Sequence, residues 1–145
     1  MHLGQLSGHK FYIKVQFYPP KHKAYEPDCI IDSRAQMNLA KGATIPHFYS
    51  EATTNMGISI GGTPAKLLGI VKDFPVTFHG LKSSISLSRL DSMKYDCILG
   101  SEFFSRVSSF TIDHVNMVFK FSLGGRTISC PLFHEGISRC NKVFH

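Results

Sequence analysis

Asp32 closes a short apolar run, Cys29-Ile30-Ile31, and is followed at once by a small hydroxyl residue, Ser33. A carboxylate at the end of a buried strand is costly to desolvate unless a partner or a reaction uses it. The reaction open to such a group is acid–base work on water. Hydrolysing a peptide with carboxylates takes two that share one proton. One accepts the proton of the attacking water while the other, protonated, polarises the scissile carbonyl. The chain has ten acidic residues, and no other is followed by the small hydroxyl and alanine of Asp32-Ser33-Arg34-Ala35. Asp113 is the only other acid preceded by an apolar strand, and no small hydroxyl and alanine follow it. Asp96 belongs to the strand before Leu99-Gly100. A complete site therefore requires a second copy of the chain, a C2 homodimer that sets Asp32 against its symmetry mate.

The remaining pieces fall around that site. Ser33 can hydrogen-bond across the dyad, and Arg34 and Ala35 complete the supporting loop. A second apolar run, Cys97-Ile98-Leu99-Gly100, closes on glycine. Ile98, Leu99 and Gly100 are expected beneath the Asp32 loop, the glycine permitting close backbone approach. Ile60, Gly61 and Gly62 form the tip of a hairpin that can close over an extended peptide as a flap.

The elements that must hold these residues are strands. Phe11, Ile13, Val15 and Phe17 alternate with polar and tyrosine neighbours, predicting one strand ended by Pro19-Pro20. Residues 56–71 alternate on both sides of Gly61-Gly62, and Phe74, Val76 and Phe78 alternate up to Gly80. Ser84–Leu87, Tyr95–Leu99, Phe110–Ile112, Val115–Phe121 and Arg126–Cys130 read as further strands, the last two joined at Gly124-Gly125. Only Ser101–Val107 has helical spacing. The expected fold is all-β: a closed, mostly antiparallel barrel with one short helix. Residues 1–10 are expected to be a flexible lead-in without a secretory signal, 11–133 the domain and 134–145 a flexible tail. Phe11–Phe17 and Arg126–Cys130 have edge-strand patterns, and the dimer is expected to use these terminal strands.

Composition narrows the function classes. The 145 residues are 43% hydrophobic and 18% charged, ordinary for a single globular domain. No apolar run is long enough to span a membrane. The formal charge is +6, but the basic residues are dispersed, with Lys21-His22-Lys23 the densest group. Nucleic-acid binding needs a clustered basic face, so charge alone argues weakly for it. Cysteines at 29, 97, 130 and 140 match no zinc pattern, and the two in strand-like runs read as small core hydrophobes. Nothing in the sequence requires a cofactor.

Over residues 11–133 the chain resembles the retropepsin-type aspartic proteases. That family carries a hydrophobic-Asp-Thr/Ser-Gly-Ala loop and a later hydrophobic-hydrophobic-Gly. The segment Asn38-Leu39-Ala40-Lys41-Gly42-Ala43-Thr44-Ile45-Pro46, with Phe48-Tyr49 beyond it, is similar to the corresponding stretch in plant pararetrovirus proteases of tungro bacilliform or badnavirus-like polyproteins. So is Tyr95-Asp96-Cys97-Ile98-Leu99-Gly100-Ser101-Glu102-Phe103-Phe104. The resemblance implies a homodimeric aspartic endopeptidase that cleaves a viral polyprotein, in the host cytoplasm or the assembling particle, through Asp32 of each chain. Arg34 departs from the family glycine. If its φ were positive, strain of about 1–3 kcal/mol would follow, and its guanidinium near the dyad would oppose the shared proton. The alternative reading is therefore a catalytically impaired dimerisation or peptide-binding module with the same fold.

Overall fold

The computed structural model describes residues 10–45, 51–60 and 62–135, with backbone alone at 51–56 and 60. Twelve strands are formed among the described residues: β1 (Phe11–Lys14), β2 (Gln16–Phe17), β3 (Asp28–Ile31), β4 (Leu39–Lys41), β5 (Glu51–Ile60), β6 (Thr63–Phe78), β7 (Leu81–Leu90), β8 (Cys97–Leu99), β9 (Ser109–Asp113), β10 (Val118–Leu123), β11 (Arg126–Pro131) and β12 (Phe133–His134). One short helix, α1 (Ser101–Phe104), follows β8, and a 3-10 turn (Gly42–Thr44) follows β4.

Nine strands make one curled sheet in the order β12-β1-β3-β8-β4-β7-β6-β2, with β5 paired to β6; β11-β10-β9 make a second sheet. The pairs β3–β8 and β4–β7 are parallel and the others antiparallel. The all-β expectation with one short helix holds, but the barrel is not closed. The main sheet curls without joining its ends and lays one face against the smaller sheet. The core between them is aromatic. Phe78, Phe103 and Phe121 meet with ring centroids 5.4–5.5 Å apart, and all three are fully buried. Burial of a large aromatic side chain contributes about 1.5–3 kcal/mol, so this triangle is a principal bond between the two sheets.

Several boundaries differ from the sequence reading for identifiable reasons. The alternating run Phe11–Phe17 is two strands. Up to Lys14 the chain pairs with β3, and at Gln16 it moves to β6. Because β12 covers its other side, β1 is an interior strand, and the open edge at this end is β12. The prediction of a Phe11–Phe17 edge is thus corrected for β1, whereas β2 ends the strand order of the main sheet and β11 lies at the edge of its own. The helix ends at Phe104 rather than Val107, and the Phe104 ring packs, tilted, against Phe110 of β9 with centroids 4.7 Å apart. The strand expected from Val115 begins at Val118. Asp113 Oδ1 accepts the N–H groups of Val115 and Asn116 at 3.0 and 2.9 Å, and this turn reverses the chain first. The two segments read around residues 72–73 are one strand, β6, bulged where its register on β7 shifts between Val71 and Phe74. Pairing passes the expected boundary at 133: His134 sits opposite Phe11, and Glu135 N–H donates to Lys10 O at 2.9 Å. Pro46, Phe48, Tyr49, Gly61 and Cys140 lie outside the described residues.

Candidate active site

Asp32 emerges where β3 ends. Its N–H donates to Leu99 O at 3.0 Å, continuing the β3–β8 pairing by one bond, and its C=O accepts Ala35 N–H at 3.1 Å. Residues 32–35 therefore form a tight turn that projects the carboxylate from the sheet. Arg34 N–H donates to Asp32 Oδ1 at 3.1 Å, so the turn fixes one carboxylate oxygen through its own backbone. Ser33 and Arg34 are exposed.

The run closing at Gly100 supports this turn from below. Ala35 O accepts both the N–H and the hydroxyl of Ser101, at 2.7 and 2.9 Å. A Cβ at Gly100 would lie 2.4 Å from Met37 O and 2.6 Å from Ala35 O. Only glycine admits that approach, which explains the residue type directly. Leu99 is fully buried in the main core, while Ile98 packs in a second apolar cluster.

Asn38 is a tie the sequence reading did not single out. Its Oδ1 accepts Gly100 N–H at 2.9 Å and Phe103 N–H at 3.2 Å, and its Nδ2 donates to Ser86 O at 3.1 Å. Its own N–H donates to Glu102 Oε1 at 2.8 Å. One amide, 2% exposed, thus joins β7, the turn into α1 and the segment after Asp32. The only sequence signal was a lone Asn between Met37 and Leu39, which local pattern cannot tell from a turn residue.

The second apolar cluster floors the site. Phe133, Tyr12, Ile30, Ile98 and Leu39 are successive register partners across five strands, and all five belong to that cluster or pack against it. Period-two alternation carries Asp32 on the same face as Ile30. The β5–β6 hairpin reaches this cluster through Ile58, Ala65 and Leu67. Ile60 pairs with Thr63 around the tip, and Gly62 has φ +85°, a conformation that favours glycine. The β5–β6 hairpin thus bears on the face that carries Asp32.

The other candidate acids are engaged elsewhere. Asp113 is held ionised by the backbone and side chain of Asn116 in its turn. Asp96 lies 3.8 Å from Lys41 Nζ, beyond the opposite end of β8 from Asp32. Cys29 and Cys130 do not compete as nucleophiles. Burial, with Cys97 beside it, pushes the Cys29 thiol well up, and burial pushes Cys130 up to about 11, so both stay protonated near neutrality. A surface depression of about 590 Å³ lined by His22, Tyr25, Glu26 and Asp96 lies at the far ends of β3 and β8. Geometry and side-chain chemistry favour the Asp32 face over that depression.

Arg34 does not strain the turn. Lys21, Asp73, His79 and Met117 are the non-glycine residues with positive φ among those described, and Arg34 is not one of them. The cation at Asp32 is instead Lys10, whose Nζ lies 3.3 Å from Oδ2.

No family model matches the chain, and no curated protein matches it. Solved structures do. The retroviral protease-like domain of Ddi1 from Leishmania major aligns over 86% of this chain and 94% of its own, with 16% identity and a TM-score of 0.66. A retropepsin-like aspartic protease from Rickettsia conorii aligns over 86% and 84%, with 12% identity and a TM-score of 0.50. Neither supports a pararetroviral origin. At these identities the likeness is one of architecture, and what it establishes is that the chain has a retropepsin-like fold.

Proposed function

We propose that the chain is one half of an aspartic endopeptidase, in which Asp32 from two copies shares a proton and activates water. The observation that carries this reading is the placing of Asp32. A backbone-fixed carboxylate stands on a tight turn, beside an apolar floor and on the face reached by a hairpin. An extended peptide would lie between floor and hairpin, pairing its backbone with hairpin strands and setting alternate side chains on the floor. The second copy would approach at the β12 end of the main sheet, where the row Phe133-Tyr12-Ile30 begins. Processing of a viral polyprotein, in host cytoplasm or assembling particle, is the finer form of this proposal and rests on sequence resemblance alone. The test is cleavage of a mixed peptide pool by purified protein between pH 4 and 7. Cleavage blocked by pepstatin supports the reading, and pepstatin-insensitive cleavage or none contradicts it.

The alternative, an impaired module, took its argument from Arg34, and the absence of a positive φ there speaks against the strain half of it. The exposed side chain and ordinary backbone at position 34 predict that Arg34→Gly changes kcat/KM by less than about threefold, since the retained N–H still serves Asp32 and no strain of order 1.4 kcal/mol is released. Parallel assays of the two proteins across the same pH range check this. A tenfold gain would show that the guanidinium reaches the dyad.

A further inference from the structure

Extending the register of β12, β1 and β3 by one step sets Glu135, Lys10 and Asp32 side by side across three strands. Lys10 is the middle member, and its ammonium is committed to Asp32 at 3.3 Å. Both carboxylate oxygens are thereby occupied, Oδ2 by Lys10 and Oδ1 by Arg34 N–H. The pair is only partly exposed, with side chains 24% and 23% accessible, so water screens it less than a surface ion pair. Three charged groups are set beside Asp32 among the described residues: Lys10 from just before β1, Glu135 from just beyond β12, and Arg34 from the turn itself with its side chain exposed. From β8 the neighbour is the backbone of Leu99, whose C=O accepts Asp32 N–H.

We propose that Lys10 is a positioning residue that governs the proton on Asp32, restraining the site until its ammonium moves aside. This rests on Asp32 being the catalytic acid of the preceding section. A dyad that must keep one proton is opposed by an ammonium that favours the fully ionised form. Freeing Oδ2 requires another acceptor for Lys10, and Glu135 stands on its other side. Glu135 N–H already donates to Lys10 O, and its Oε1 accepts the Tyr95 hydroxyl at 3.4 Å. Transfer of the ammonium from Asp32 to Glu135 would open the carboxylate toward a second chain.

The experiment follows the Asp32 carboxyl carbon by NMR through a pH titration, in wild type, Lys10→Met, Lys10→Gln and Lys10→Arg. Peptide cleavage is assayed over the same range. Lys10→Met and Lys10→Gln are expected to move the Asp32 midpoint upward, the direction set by losing a paired cation. The alkaline limb of the activity profile should rise with it, and KM should stay within about twofold. Lys10→Arg should behave as wild type. A lysine that merely packs would lower thermal stability in the neutral variants without moving the midpoint. An unmoved midpoint in both neutral variants overturns the proposal whether or not the protein cleaves peptides; the two variants guard against one failing to fold. A midpoint that moves in a protein that cleaves nothing keeps the control of Asp32 by Lys10 and contradicts the peptidase reading instead.

Discussion

Asp32→Asn is expected to lower peptide cleavage by about 10²–10⁴-fold, the usual loss when a general base is removed. The amide is nearly the size of the carboxylate and can still accept Arg34 N–H through its oxygen. The turn built on Leu99 O and Ala35 N–H involves only the backbone of residue 32, so the fold should survive. What is lost is the ability to take the proton of water and the partner charge for Lys10. Single-turnover assays beside a thermal melt separate the two effects. Residual cleavage above about 1% in a normally folded protein would place the chemistry on another group.

Gly100→Ala is expected to disrupt the site from beneath. The new Cβ meets two backbone carbonyls, of Met37 and Ala35, at 2.4 and 2.6 Å, and neither can rotate away as a side-chain end would. Overpacking of this kind costs about 1–3 kcal/mol and sometimes more. The melting temperature should therefore fall by roughly 5–15 °C. Activity should fall further than stability, because relief of the clash must displace the segment that carries Asp32. Gly57 is the control. A Cβ there meets nothing within 4 Å, so Gly57→Ala should leave the melt within about 1 kcal/mol of wild type. Equal melts for the two variants would mean that the Asp32 turn does not rest on Gly100.

The parts of this site that were legible in the sequence are those that depend on neighbours along the chain. Asp32-Ser33 after an apolar run, glycine after Ile98-Leu99 and a Gly61-Gly62 tip between alternating segments each state a local conformation. The expected chemistry followed from residue type. The parts that stayed hidden depend on register between distant strands. Lys10 was assigned to a lead-in because nothing before Phe11 has a pattern. Only the pairing of Tyr12 with Ile30 brings it opposite Asp32. Alternation through Phe11–Phe17 is unbroken in sequence although the strand changes partners at Val15, since the period of a strand is blind to what lies beside it. Asn38 escaped because its value comes from three backbone partners between 48 and 65 residues away. Arg34 misled in the other direction. A departure from the family's glycine implied strain, yet the turn here uses a backbone conformation open to any residue.

The central claim is that one site takes Asp32 from two chains, and subunit mixing tests it most directly. Wild-type protein at fixed amount is equilibrated with increasing Asp32→Asn chain, and cleavage is measured at each ratio. If each site needs both carboxylates, mixed dimers are inactive. Cleavage then falls to about half at equal amounts and to about a tenth at a ninefold excess of the variant. Cleavage that stays constant at every ratio, with chain exchange verified by mass, would mean that a single chain carries the whole site.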